Sequence, residues 1–77
     1  MWKKTNGKLQ KNFEFKDFIS SLIFVNKVGE LAELQGHHPD ILIHDLKKVR
    51  ITIVTHSKKK ITEKDEELAE AIDKIEI

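Results

Sequence analysis

The spacing of apolar residues along this chain switches between a period of two and a helical period, and the switches mark out its elements. Phe13 and Phe15 alternate with Asn12 and Glu14, which reads as a strand with one aromatic face. Asn6-Gly7 favours a two-residue type I′ turn, where both central positions need φ > 0, so residues 2–5 and 8–15 pair as a β-hairpin. The period then lengthens. Phe18, Leu22, Val25, Val28 and Ala32 recur at helical spacing, widened by Phe24 and Leu31, in a helix that Asp17 N-caps and that runs to about Gln35. Gly36 stops it, since glycine takes the left-handed conformation freely.

Residues 41–44 form a short strand, and Val49, Ile51 and Ile53 alternate with Arg50 and Thr52 in a longer one ending at Thr55-His56. Residues 57–61 are a loop holding Lys58-Lys59-Lys60. Thr62 with Asp65 resembles a capping box, Asp standing in for the usual Glu or Gln. Leu68, Ala71, Ile72 and Ile75 follow as an i, i+3, i+4, i+7 stripe. The order is β-β-α-β-β-α, and two helices can cover one face of a four-stranded sheet. The expected fold is α+β: a four-stranded antiparallel sheet carrying both helices on one face. Phe13, Phe15, Phe18, Leu22, Val25, Val49, Ile51, Ile53, Leu68, Ile72 and Ile75 are its expected core.

No repeat, linker or low-complexity tract divides the chain, so residues 1–77 are read as a single domain. So small a core leaves little spare stability, and Ile19, Ile23 and Leu34 are apolar residues left over for a partner. A homo-oligomer is expected. The sequence has no cysteine, which excludes disulfides, thiolate catalysis and zinc ribbons. Apolar runs are short, so no membrane partner is expected, and a soluble, unexported protein places its work in the cytoplasm. The net charge is +1, from 14 basic and 13 acidic residues, with lysines gathered near the start and acids near the end. That balance, with few aromatic platforms, makes nucleic acid the weakest partner class.

Candidate chemistry centres on His37-His38-Pro39-Asp40, since imidazole alone exchanges protons near neutral pH without a shifted pKa. Pro39 biases His38 away from helical geometry, and the preceding helix C-terminus favours imidazolium. His56 ends the long strand. Glu33 lies four residues before His37 and could reach that imidazole; Asp40 adds a second carboxylate. Capping a helix and bonding to backbone would account for any one of these histidines taken alone, and His44 is read that way, as a solvent-facing strand residue. A metal site is the rival, but adjacent histidines are awkward ligands and the His-x₃-His spacing is absent, so no metal is assigned.

The stretch Glu33-x₃-His37-His38-Pro39, then Thr55-His56, then Asp65 with Leu68-Ala69, resembles the pterin-4a-carbinolamine dehydratases. So do Trp2, Phe13-x-Phe15-x₂-Phe18, Phe24 and Ala32-Glu33; the resemblance runs from Trp2 to Asp73. It implies dehydration of 4a-hydroxytetrahydropterin to quinonoid dihydropterin, without metal or cofactor, in an α+β fold that forms dimers and tetramers. It places the active-site histidines on His37, His38 and His56 and the acidic residue on Glu33. Trp2 becomes a pocket residue, and Pro39 and Asp40 join Glu33 and Trp2 around the pterin. Four departures stand out. The chain begins at the tryptophan, lacking the family's leading helix. Leu46 or Asp45 replaces an aromatic, and the interval from His38 to His56 is one residue longer, read as a bulge near Asp45. Lys60 stands where a loop glycine is expected. The alternative to an enzyme is a non-catalytic protein-interaction or dimerisation module of the same fold.

Overall fold

The computed structural model describes Met1–Ile77. The hairpin forms as β1 (Lys3–Thr5) and β2 (Lys8–Glu14), with Asn6 and Gly7 at φ 52° and 75° supplying the two left-handed positions. α1 (Phe18–Gln35) begins at Asp17, whose carboxylate accepts the Ser20 N–H at 2.8 Å, and ends at Gly36 with φ 63°. β3 (Asp40–His44) and β4 (Lys48–Ile53) follow, then α2 (Glu63–Asp73), N-capped by Thr62 in a capping box with Asp65.

The sheet order is β1-β2-β4-β3, antiparallel throughout. β2 and β3 are therefore parallel to each other, with β4 inserted between them, and α1 makes the crossover. Central β4 sets the layers. Val49, Ile51 and Ile53 are fully buried towards the helices, while Lys48, Arg50 and Thr52 face the other way. They form one core with Leu9 of β2, Phe24 and Val28 of α1, and Leu68, Ala69 and Ile72 of α2. Both helices cover one face of the sheet. At one side of this core Trp2, Phe13, Phe24 and Phe15 stack in series, ring centroids 6.1, 4.7 and 4.8 Å apart. No helix is long and apolar enough to cross a membrane.

The structure corrects the sequence reading in detail. Phe18 is 45% exposed, because the buried line of α1 is Ser21, Phe24, Val28 and Ala32, and Phe18 lies one turn before it begins. Phe13, Phe15, Val25 and Ile75 pack against the core while only partly buried, and Leu22 is also half-buried. There is no bulge near Asp45. β3 and β4 pair in unbroken register from Asp40↔Thr52 to His44↔Lys48, and the intervening turn takes up the length, with Asp45 and Leu46 at φ 51° and 66°. β4 ends at Ile53, not at Thr55-His56. Thr55 makes an isolated bridge to Lys60, and His56 lies exposed in the turn between them.

Candidate functional site

The left-handed Gly36 and the bonds around it decide where the histidines go. The Gly36 N–H is donated to Glu33 O at 3.3 Å and the His37 N–H to Ala32 O at 3.1 Å, so the chain doubles back off the helix end. The two adjacent imidazoles then diverge. His37 turns inward to the first turn of α2; His38, held extended by Pro39, turns outward along α1.

Inside, His37 Nε2 meets Asp65 Oδ1 at 2.6 Å. The second oxygen, Oδ2, accepts the Thr55 hydroxyl at 2.7 Å and the Thr62 N–H at 2.7 Å, with the Thr62 hydroxyl at 3.3 Å. The two threonine hydroxyls are themselves 2.6 Å apart. Asp65 exposes no surface. Burial alone would raise its carboxyl, but hydrogen bonds from His37, the Thr62 N–H and the Thr55 hydroxyl outweigh it and hold Asp65 below its ordinary value of 3.8. The carboxylate is ionised and acts only as an acceptor.

Outside, His38 Nε2 pairs with Glu33 Oε2 on the surface. Both line a hollow of about 770 Å³ with Gly29, Ala32, Leu34, Pro39 and Ile41, so its walls are largely apolar. His56 directly follows Thr55, one residue from the buried network, and its imidazole makes no hydrogen bond within the chain. No three His, Asp and Glu side chains converge as ligands for a metal ion.

The sequence reading paired Glu33 with His37; the structure pairs it with His38 and gives His37 to Asp65. The reversal at Gly36 turns the His37 imidazole away from Glu33 and towards α2. Pro39 does lie beside His38, but Asp40 and Trp2 do not join the histidines. Asp40 faces the open side of the sheet beside Thr5, Lys8, Gln10 and Thr52. Trp2 donates its indole N–H to Asp73 Oδ2 at 3.0 Å, with Lys11 on the other carboxylate oxygen, at the far end of α2 from Asp65. His44 is not simply solvent-facing: Nδ1 is 3.4 Å from Asp45, while Nε2 is sealed without a partner. Asp65 is the residue the sequence reading gave no part in the site, taking it as a helix cap and as one position of the family resemblance. A signal was present, because residues 65, 68, 69 and 72 form one line, and an acid on an otherwise apolar stripe needs a partner.

Residues 1–75 match the family described as Pterin 4 alpha carbinolamine dehydratase. A protein of Acidobacterium capsulatum, provisionally named a pterin-4-alpha-carbinolamine dehydratase, is 46% identical over 72 residues, which is 94% of this chain and 77% of its own length. A relative of the same provisional name from Sulfolobus acidocaldarius is 43% identical over 75 residues, 97% of this chain and 81% of its own. Among solved structures, a transcriptional coactivator/pterin dehydratase from Brucella melitensis superposes with a TM-score of 0.87 at 30% identity, covering 94% of this chain and 78% of that one. A pterin dehydratase-like protein described as a RuBisCO assembly factor of the alpha-carboxysome shares the fold, with a TM-score of 0.75 at 23% identity over 95% and 83% of the two chains. With nearly its whole length matched and relatives 46% and 43% identical, this chain belongs to the pterin-4-alpha-carbinolamine dehydratase family.

Proposed function

We propose that this protein dehydrates 4a-hydroxytetrahydropterins, working in the cytosol, by acid–base catalysis from His37, His38 and His56. The observation that carries this reading is the pair of adjacent imidazoles, each held on its own carboxylate, one buried and one exposed. Removal of water from the carbinolamine breaks the C4a–O bond. An acid protonates the departing hydroxyl, and a base takes the proton from N5 as its electron pair moves to form the C=N bond of the quinonoid product. Each positioned group typically contributes roughly 10²–10⁴-fold. Two imidazoles in different surroundings suit these two tasks, and His56 beside the network supplies a third proton carrier. The apolar hollow beside His38 offers a wall for the pterin ring.

Stopped-flow dehydration of a synthetic 4a-hydroxytetrahydropterin tests the reading. Wild type is expected to accelerate water loss, and His37→Ala to reduce that acceleration roughly a hundredfold if it removes one acid–base group. No acceleration by wild type would overturn it and leave the protein-interaction module of the same fold. The active species is proposed to be a homo-oligomer, dimer or tetramer, because Ile19, Ile23 and Leu34 stay exposed along α1. Sedimentation as a monomer at micromolar concentration would remove that part.

A further inference from the structure

The hydrogens around Asp65 can be counted, and the count leaves one carboxylate oxygen for His37. Thr55 and Thr62 have one hydroxyl hydrogen each; one serves the 2.6 Å contact between them and the other is donated to Asp65 Oδ2, from Thr55 at 2.7 Å or from Thr62 at 3.3 Å. Oδ2 also takes the Thr62 N–H at 2.7 Å. That oxygen is committed to α2's own cap and to the end of β4, which leaves Oδ1 for His37 alone. An ionised carboxylate accepts only, so the hydrogen in the 2.6 Å contact sits on His37 Nε2.

We infer that Thr55, Thr62 and Asp65 are positioning residues that lock neutral His37 as its Nε2–H tautomer and thereby make Nδ1 the basic nitrogen that takes the proton from the substrate. His37 Nδ1 makes no hydrogen bond within the chain and is not among the sealed unpartnered nitrogens, so it keeps contact with solvent and is free to take a proton. When Nδ1 takes the proton, the imidazolium formed stays against the Asp65 anion, which stabilises it. The assignment of His37 as base rests on the dehydratase reading; the tautomer does not.

The threonines also make one substitution predictable. In Asp65→Asn the amide oxygen must face the Thr62 N–H, which can only donate, and the Thr55 hydroxyl beside it turns to suit. The amide NH₂ then faces His37 Nε2, which becomes an acceptor, and the hydrogen moves to Nδ1.

Long-range ¹H–¹⁵N correlation spectra of the labelled full chain read the tautomer without reference to activity. Wild-type neutral His37 is expected as Nε2–H, and Asp65→Asn as Nδ1–H with circular dichroism unchanged. Turnover of the 4a-hydroxypterin in Asp65→Asn is expected to fall roughly a hundredfold, the loss of one general base. Neutral wild-type His37 found as Nδ1–H overturns the inference whatever the variant does, as does full turnover in a tautomer-shifted Asp65→Asn. The expected tautomers in a protein that accelerates no dehydration would leave the positioning intact and remove the dehydratase reading instead.

Discussion

Two carboxylate–imidazole pairs stand on consecutive residues, His37–Asp65 and His38–Glu33, and nearly everything except their chemistry differs. In the first the side chains are 12% and 0% exposed; in the second they are 63% and 78% exposed. Solvent screens the outer pair, whose members also hold two long side chains in one geometry, so its contribution to stability is small. The inner pair is desolvated, and its carboxylate survives as an anion only because donors surround it. The contrast teaches that the fold gives like groups different surroundings: a desolvated pair fixed by donors inside, and a pair open to solvent outside.

Removing the two carboxylates should break the molecule unequally. Asp65→Ala leaves His37, Thr55 and the Thr62 N–H without their shared acceptor in the interior, and about 3 kcal/mol or more of stability is expected to go. Glu33→Ala is expected to change stability by no more than about 1 kcal/mol. Urea unfolding of both variants checks this; equal losses would mean the two pairs are not the different devices described above.

Acid should separate them next. Asp65 has a folded-state pKa lowered below its ordinary value of 3.8. Its contribution to stability is therefore fully present above about pH 4 and is lost as pH falls through the lower, folded-state value. Unfolding measured from neutral pH into this acid range is expected to show a steeper fall for wild type than for Asp65→Asn. Glu33→Gln should follow wild type. Part of the slope will remain in Asp65→Asn, because the N-cap Asp17 is also held low, by the Ser20 hydrogen bonds.

How much of this could be read from the chain alone depends on whether the cause is local. Asn6-Gly7, the Asp17 cap, the Gly36 stop and the alternation of Val49, Ile51 and Ile53 each act within a few residues, and all of them appear where the sequence placed them. The turn at Asp45-Leu46 was misread as a bulge because a leucine at φ 66° carries no turn signal. The partners of the site side chains were missed for another reason. Asp65 is 28 residues from His37 and Asp73 is 71 from Trp2, so only the packed fold decides that one acid meets an imidazole and the other an indole. Candidate histidines were legible as residue types; which carboxylate each would own was not.

The smallest effect bears on the outer pair. Gly29 lies inside α1, where glycine is roughly 1 kcal/mol less favourable than alanine, and a Cβ built there meets nothing within 4 Å. Nothing in the folded chain therefore requires the glycine. Gly29→Ala is expected to raise stability by about 0.5–1 kcal/mol, a shift of several degrees in Tm for a domain this small. Yet Gly29 forms part of the wall of the hollow that holds His38, Glu33 and Pro39. A pterin lying in that hollow would meet the new methyl group before any reacting atom, so KM should rise while kcat holds. Thermal unfolding and steady-state kinetics on the one variant measure both. A stabilised protein with unchanged KM would place the substrate on the His37 side of the divergence, away from the hollow, and reduce the outer pair to a surface contact.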